Sequence, residues 1–252
     1  MKAPKILIPA LIALVGATSL SATDPIPSLG TMNFINSGVR GTSGGEFGID
    51  IHGYGVDGTD LLSFCLEVQE NLSFGPTYSF ELDTAARLGG GNHLNESDSD
   101  GTFDTLSKGS EFLYDLFYRG ESGEDIGAIN FTYDHDNSSG NNQADSKALQ
   151  LAFWVLEDEK SLRNDGGLRS IAGNKYLGLV NTEFGGIAGA KSNFMDWDNS
   201  IVRVMNIWDG NVLKQSQIVA AVPESGLVLL MLSGVLGFVG YVKRRRLANA
   251  TA

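Results

Sequence analysis

The chain has 252 residues, of which 42% are hydrophobic and 19% charged, so it can bury a core and is not a disordered tail. The net charge is -12, but six of the 18 basic residues lie at the two ends and only one of the 30 acidic residues does, which leaves 12 basic and 29 acidic residues in the middle. Such an acidic surface repels phosphate backbones and argues against nucleic acid as a partner. It suits an exported domain that meets cations or amines.

The first 22 residues have the pattern of a secretory signal peptide. Lys2 and Lys5 precede an apolar run, and small residues follow it. Cleavage is expected after either Ser19 or Ala22. The alternative, a retained anchor helix, has less support because the apolar run is short and contains Pro9. The sequence therefore predicts one exported domain over residues 23–221.

Residues 222–252 predict a membrane segment with a basic tail. Residues 226–242 carry no charge, and Lys243, Arg244, Arg245 and Arg246 follow them directly. This apolar length is slightly short of the roughly 20 residues that usually span a bilayer, but it is within the tolerated range. By the positive-inside rule, the basic cluster holds the C-terminus in the cytoplasm and leaves the body of the protein outside.

A short motif, Val222-Pro223-Glu224, stands just before this apolar segment. The order of Pro-Glu motif, apolar helix and basic cluster resembles the PEP-CTERM sorting signal of Gram-negative bacteria, which is also catalogued under a name taken from ice-binding proteins. The resemblance implies processing by an exosortase-type enzyme, transient residence in the inner membrane, and release to the cell surface or extracellular polysaccharide matrix. Ser225 departs from the second proline that the family prefers. An ordinary tail anchor is the alternative.

Between the two ends, the sequence predicts β-structure first and helices later. Residues 30–83 contain short alternating or apolar runs between glycine-rich turns, and these runs predict strands over residues 47–51, 61–68 and 77–82. Near the end of the domain, Asp209-Gly210-Asn211 separates two strand-like runs, residues 201–208 and 212–220, which is typical of a β-hairpin.

Two segments have the helical period. The first extends from Leu106 to Tyr118 and is expected to end at Gly120. The second begins near Asp145 or Ser146 and extends to about residue 159. A strand candidate, residues 128–133, lies in the polar segment between them. Together these elements predict an α+β fold, with an antiparallel β-sandwich or barrel-like sheet and a helical layer, plus the C-terminal transmembrane helix.

Two short blocks stand out when they are considered together. One is Phe64-Cys65-Leu66-Glu67, on a predicted strand, and the other is Ala148-Leu149-Gln150-Leu151-Ala152-Phe153-Trp154, on a predicted buried helix. They resemble the two signature blocks of bacterial thioester domains, known from Gram-positive surface adhesins. The intervening segment, residues 112–118, also resembles a helix of that family, so the resemblance spans about residues 60–160. It implies an internal thioester that joins Cys65 to Gln150 with loss of ammonia.

The chemistry of a thioester sets its own requirements. The thiol and the amide need near-attack placement, the amide carbonyl needs polarising donors, and the product must be kept from water. Phe64, Phe153 and Trp154 are predicted to shield the bond, since Trp154 lies one helical turn after Gln150. Glu67 is predicted to share a strand face with Cys65, where it either orients an amine or closes a hydrogen bond.

These observations predict an exported surface or matrix protein that attaches covalently to an amine-bearing molecule in a single turnover, and not a turnover enzyme. The alternative is a non-covalent structural protein of the extracellular polysaccharide matrix, in which Cys65 is a buried small hydrophobe and Gln150 bonds to a backbone carbonyl. The sequence has no zinc motif, phosphate loop or hydrolase elbow. No catalytic residue, metal or cofactor is predicted, and the acidic loops 95–101 and 134–137 are expected to be solvated loops.

Overall fold

The computed structural model describes residues 30–35, 44–52, 59–68, 72–87, 103–123, 126 and 129–221. The strands are β1 (Gly30–Ile35), β2 (Phe47–His52), β3 (Thr59–Cys65), β4 (Tyr78–Asp83), β5 (Ala85–Arg87), β6 (Phe103–Thr105), β7 (Val202–Asp209) and β8 (Val212–Ala220). The helices are α1 (Lys108–Glu121), α2 (Asn142–Leu156), α3 (Lys175–Glu183) and α4 (Ile187–Ala190), and a short 3₁₀ turn follows at Trp197–Asn199.

Six of these strands close into an antiparallel barrel in the order β1-β2-β3-β8-β7-β4. The predicted α+β class is confirmed, and of the two predicted sheet forms the barrel is the one observed. β7 and β8 are joined by the predicted hairpin, whose Gly210 has a φ of +61°. β3 pairs with β8 over a short stretch, at Phe64 opposite Ile218 and Cys65 opposite Gln217.

Because side chains alternate along a strand, the barrel has two apolar surfaces. One fills its interior with buried side chains from β1, β2, β4, β7 and β8: Met32, Phe34, Ile49, Ile51, Tyr78, Phe80, Met205, Ile207 and Val219. The other lies on the outside of β3, β7 and β8, where Phe64, Val204 and Ile218 pack against the helices. The helical layer therefore covers one side of the barrel.

Helix α1 differs from its predicted bounds at both ends. It begins two residues late because Ser107 caps it, with Oγ accepting from the Ser110 backbone N–H. The Ser107 hydroxyl also donates to the Glu157 carboxylate at 2.7 Å, which ties the start of α1 to the end of α2. The helix continues through Gly120 to Glu121, so the predicted stop at that glycine is wrong.

Helix α2 begins earlier than predicted, at Asn142. The predicted caps, Asp145 and Ser146, both lie within the helix. The start is held from outside, because the Asp134 carboxylate accepts the Asn141 backbone N–H at 2.7 Å and Asn142 Nδ2 donates to the Asp134 carbonyl. The helix also ends earlier than predicted, at Leu156.

Other differences concern a predicted strand that the structure does not show in the part of the chain that it describes and two helices that the sequence patterns did not predict. Residues 129–133, the described part of the predicted strand 128–133, have no ladder partner among the described residues. Helices α3 and α4 were not predicted. The predicted signal peptide and C-terminal transmembrane helix, residues 1–22 and 226–242, lie outside the described residues. None of the helices that the structure describes is long and apolar enough to cross a membrane.

Asn174 joins α3 to α2, and its replacement tests this connection. Its Oδ1 accepts from the backbone N–H groups of Tyr176 and Leu177, and its Nδ2 donates to the carbonyls of Ala148 and Leu168. We expect Asn174→Ala to lower the free energy of unfolding by about 2–3 kcal/mol, since a cap, one buried hydrogen bond and one partly buried hydrogen bond are lost together. Urea denaturation measures the change.

The control for this variant is Asn199→Ala. Asn199 is exposed, and its side chain donates one hydrogen bond, to the Asp196 carboxylate at 2.8 Å. Its replacement should change the free energy of unfolding by less than about 0.5 kcal/mol. Equal effects of the two substitutions would show that Asn174 does not couple the helices.

Candidate functional site

The side chain of Gln150 lies against the main chain of Cys65. Gln150 Oε1 accepts the backbone N–H of Cys65 at 3.0 Å, and Gln150 Nε2 donates to the Cys65 carbonyl at 2.7 Å. A second N–H, that of Gly45, donates to the same Oε1 at 3.1 Å. Both side chains are buried, with exposed fractions of 3% for Cys65 and 1% for Gln150. The two residues that the sequence blocks singled out are thus in direct contact.

The end of a strand ladder explains this contact. The pairing of β2 with β3 stops at Phe47 opposite Ser63, whereas β8 still pairs with Cys65 on the other edge of β3. The N–H and C=O of Cys65 would therefore be buried without a strand partner, which costs free energy. The carboxamide of Gln150, delivered by α2, supplies one donor and one acceptor in the place of that strand.

The thiol of Cys65 has a different partner. Its Sγ accepts a hydrogen bond from Gln217 Nε2 at 3.5 Å, and Gln217 Oε1 accepts from the Ser63 hydroxyl at 3.3 Å. The pKa of the Cys65 thiol is raised to about 12, chiefly by burial; the Gln217 hydrogen bond lowers this pKa, and the Glu67 charge raises it. The thiol is therefore protonated at neutral pH. The hydrogen bonds between Gln150 and Cys65 are to the backbone N–H and C=O of Cys65 and not to its sulfur.

Gly44 and Gly45 pass over Gln150 in conformations that glycine adopts most easily, with φ values of +85° and +139°. A Cβ atom on Gly44 would lie 2.7 Å from Cη2 of Trp154 and 2.9 Å from Cγ of Gln150. The backbone at Gly44 therefore packs directly against both side chains. The sequence identified this segment only as a glycine-rich turn region.

Trp154 is 4% exposed and lies over the site as part of this packing. The Lys160 ammonium lies 5.0 Å from the centre of its ring, within cation–π distance. Its indole N–H is buried and has no hydrogen-bond acceptor among the described residues.

Phe64 and Phe153 lie in the core between β3 and the helices. Both are fully buried, and their ring centroids are 5.2 Å apart. Glu67 lies beyond the end of β3, so strand alternation does not fix its direction. Its carboxylate accepts the backbone N–H of Ser216 at 2.9 Å, which is the hydrogen-bonding alternative of the two predicted for it.

A cluster of three polar side chains, Glu46, Tyr133 and Ser146, adjoins Gln150 and was missed by the sequence analysis. Tyr133 donates its hydroxyl hydrogen to Glu46 Oε2, and the Glu46 backbone N–H donates to Ser146 Oγ at 2.8 Å. Burial raises the pKa of Glu46, although the Tyr133 hydrogen bond opposes this shift. Ser146 lies one turn before Gln150, and this spacing is the only sign of the cluster in the sequence.

Further polar groups lie close to this cluster. Burial, and then the charge of Glu46, raise the pKa of Glu121 to about 7. The His135 ring lies 4.6 Å from that of Tyr133, and burial lowers the pKa of His135. A histidine with a lowered pKa is neutral at pH 7.

An open pocket of about 340 Å³ lies near the start of α2. Its lining residues are Thr132, Tyr133, Asp134, Ser139, Asn141, Ala144, Asp145 and Lys175. Lys175 forms an ion pair with Asp145 at 2.6 Å, and the Asp134 carboxylate accepts hydrogen bonds within its own loop. In the described part of the chain, no three His, Cys, Asp or Glu side chains form a group that could hold a metal ion.

The predicted sorting residues Val222, Pro223 and Glu224, and the basic cluster from Lys243 to Arg246, lie outside the described residues. No protein-family model, curated protein or solved structure matches the chain. The geometry around Gln150 is therefore the main support for a function.

Replacing Gly44 tests the packing over the site. We expect Gly44→Ala to destabilise the protein by about 1–3 kcal/mol more than Gly75→Ala, since a methyl group at residue 44 collides with Trp154 and Gln150. Gly75 is a matched control because its φ is also positive, +109°, but a Cβ there meets no atom within 4 Å. Equal losses in urea denaturation would contradict the close packing.

The raised pKa of Glu46 predicts a dependence of stability on pH. In the unfolded chain Glu46 loses its proton near its ordinary pKa of 4.5, whereas the folded protein retains it to higher pH. The unfolded state then binds fewer protons, so stability should fall as the pH rises above about 4.5 towards neutrality. Glu46→Gln cannot ionise, and its free energy of unfolding should fall less over this range.

Other buried carboxyl groups contribute to the same dependence, so the variant reduces the decrease without abolishing it. The control is Glu183→Gln, a substitution at an exposed residue of α3. It should leave the slope of stability against pH as in the wild type. If the slope of stability against pH were the same in Glu46→Gln as in the wild type, Glu46 would ionise alike in the folded and unfolded states.

Proposed function

We propose that this chain is an exported surface or matrix protein that uses an internal thioester between Cys65 and Gln150 to attach covalently to amine-bearing targets. The observation that supports this function best is the position of the Gln150 carboxamide. It lies against the very residue that carries the thiol, with its oxygen on two backbone N–H donors.

The reaction balances without a further reagent. Sγ of Cys65 attacks Cδ of Gln150, the Sγ–Cδ bond forms, and the Cδ–Nε2 bond breaks. The thiol proton passes to the leaving nitrogen, which departs as ammonia. A primary amine on a target then attacks Cδ, the Sγ–Cδ bond breaks, and one amine proton returns to sulfur. The products are an amide between target and Gln150 and a free thiol at Cys65.

The two N–H donors supply the polarisation that this chemistry requires. An amide is a poor electrophile, and negative charge develops on Oε1 when sulfur adds to its carbon. Donors at 3.0 and 3.1 Å from that oxygen are already within hydrogen-bond distance before the reaction begins. In enzymes, removing one such donor slows acyl transfer by a factor of about 10²–10³.

The thiol must change its contacts for the bond to form. Sγ has to leave Gln217 and turn towards Gln150, and its raised pKa means that the reacting sulfur begins as a protonated thiol. Transfer of this proton to Nε2 within the site avoids a free thiolate. The same burial that raises the pKa also excludes water, which would otherwise hydrolyse the product.

The remaining parts of the proposal follow from the single-use chemistry and from the ends of the chain. The bond to the target leaves Gln150 consumed, so the protein acts once and is not a turnover enzyme. The predicted signal peptide and the PEP-CTERM-like segment place it in the inner membrane as a precursor. An exosortase-type enzyme then releases it to the cell surface or the extracellular matrix.

A non-covalent structural protein of the polysaccharide matrix is the second candidate. It is favoured by the hydrogen bonds of the Gln150 carboxamide to Cys65 and Gly45, which use both its oxygen and its nitrogen, as in a purely structural glutamine. In that case Cys65 stays a thiol bonded to Gln217, and the protein never loses ammonia.

Methylamine uptake separates the two candidates. We expect the full chain, purified without exposure to amines, to lack one ammonia in the peptides that carry Cys65 and Gln150. Methylamine should then add once, at Gln150, and release a titratable thiol at Cys65. Mass spectrometry of the intact protein and its peptides measures both changes.

Substitutions at Cys65 and Gln150 test the role of each residue. Cys65→Ala removes the sulfur but keeps the main-chain groups that bind Gln150, so the fold should remain and methylamine uptake should be lost. Gln150→Ala should also abolish uptake, whereas Gln143→Ala, at an exposed glutamine of the same helix, should not. A wild-type protein with its full calculated mass, an intact Gln150 carboxamide and a free Cys65 thiol would contradict the thioester and support the structural candidate.

A further inference from the structure

The two N–H donors on Gln150 Oε1 are held in different ways. Cys65 belongs to β3 and is fixed by its pairing with β8. Gly45 precedes β2, which begins at Phe47, and its backbone has a φ of +139°. The β2–β3 ladder ends before it. The Gly45 N–H therefore needs contacts outside the β2–β3 ladder to stay within hydrogen-bond distance of Gln150 Oε1.

We infer that Glu46, Tyr133 and Ser146 form a positioning cluster that holds the Gly45 N–H on the carbonyl oxygen of Gln150. The role of this cluster in thioester chemistry rests on the proposed function, but its role in positioning does not. Glu46 and Ser146 are at least nine-tenths buried, with exposed fractions of 4% and 1%.

Ser146 fixes the main chain next to Gly45. Its hydroxyl oxygen accepts the Glu46 N–H at 2.8 Å. Ser146 and Gln150 are four residues apart on α2, so they lie on the same face of the helix. Two consecutive N–H groups, those of Gly45 and Glu46, thus bind two side chains one turn apart, which fixes the segment in register with α2.

Tyr133 fixes the other end of Glu46. Its hydroxyl donates to Glu46 Oε2, and its ring lies 4.8 Å from that of Phe117 and 4.6 Å from that of His135. A ring packed on both of these neighbours gives the hydroxyl a defined position. Glu46 is therefore attached to α2 through its main chain and to the 129–141 segment through its carboxyl group.

The energetics favour a role beyond stability. A buried carboxyl group is costly to desolvate, and an apolar side chain of similar size would avoid this cost. An apolar side chain would not accept the Tyr133 hydrogen bond. The polar cluster thus makes the protein less stable than an apolar one would, but it fixes the position of the Gly45–Glu46 segment.

Hydrogen exchange tests the positioning directly. The measurement is made on the full chain carrying Cys65→Ala, in which no thioester can form. We expect Tyr133→Phe and Ser146→Ala each to speed the exchange of the Gly45 amide hydrogen roughly five- to tenfold, as for the loss of one hydrogen bond. The amide at position 65 donates to the same Oε1, but its residue is fixed by the pairing of β3 with β8, so its exchange should change much less.

Tyr176→Phe is the matched control. Tyr176 is buried, whereas Tyr133 is partly buried. The Tyr176 hydroxyl donates to the carbonyl of Thr132, the residue before Tyr133, at 3.0 Å. This substitution should leave the Gly45 exchange rate within about twofold of its parent. Faster exchange in both tyrosine variants, or in neither, would overturn the inference.

The second measurement is the rate of ammonia loss in chains that retain Cys65. Tyr133→Phe and Ser146→Ala should slow it roughly tenfold or more, since the carbonyl loses one well-placed donor, and Tyr176→Phe should not. Normal rates in the first two variants would overturn the chemical role of the cluster. If the wild type itself loses no ammonia from Gln150, the proposed function fails. The hydrogen-exchange rates of the Gly45 amide alone then decide the positioning role.

Discussion

The edge of β3 at Cys65 is the constraint on which the site depends. At this residue the main chain has a strand partner on one side only, because β2 has already diverged. A buried N–H and C=O cannot remain unpaired at low cost. Gln150 satisfies both, which fixes the rotation of α2 against the barrel and places its carboxamide beside the only cysteine of the chain. The Gly45 donor, the packing of Gly44 on Trp154 and the Glu46 cluster are all arranged around this amide.

Under the proposed function, the same contact would serve two physically distinct purposes. As a structural element, the amide closes a ladder and completes the core. As a reactive element in the proposed thioester chemistry, it has a carbonyl that accepts two N–H groups, on the residue that carries the thiol, and both residues are buried. Burial has two opposite effects on the proposed reaction, because it would protect a thioester from water but raises the pKa of the thiol that must form it. In the proposed reaction, proton transfer from sulfur to the leaving nitrogen would resolve this conflict, since it requires no stable thiolate.

Several features of the fold and the site could be predicted from local patterns. Alternation located β2 and β4, the Asp-Gly pair located the β7–β8 hairpin, and the helical period located the centres of α1 and α2. The starts of the two helices were missed because the helical period alone does not show the side chains that hold them, which are the Ser107 cap of α1 and the Asp134 carboxylate at Asn141 before α2. The two motif blocks identified Cys65 and Gln150, but not that the amide would bind the main chain of Cys65. Glu46 and Tyr133 are 87 residues apart and share no spacing, so only the folded chain brings them together.

A high-resolution crystal structure of protein never exposed to amines is the most direct test of the central claim. We expect continuous electron density between Sγ of Cys65 and Cδ of Gln150, no density for Nε2, and Oε1 within hydrogen-bond distance of the Cys65 and Gly45 backbone nitrogens. An intact carboxamide bound to the main chain of Cys65, with a separate thiol against Gln217, would contradict the thioester and leave Gln150 as a structural residue.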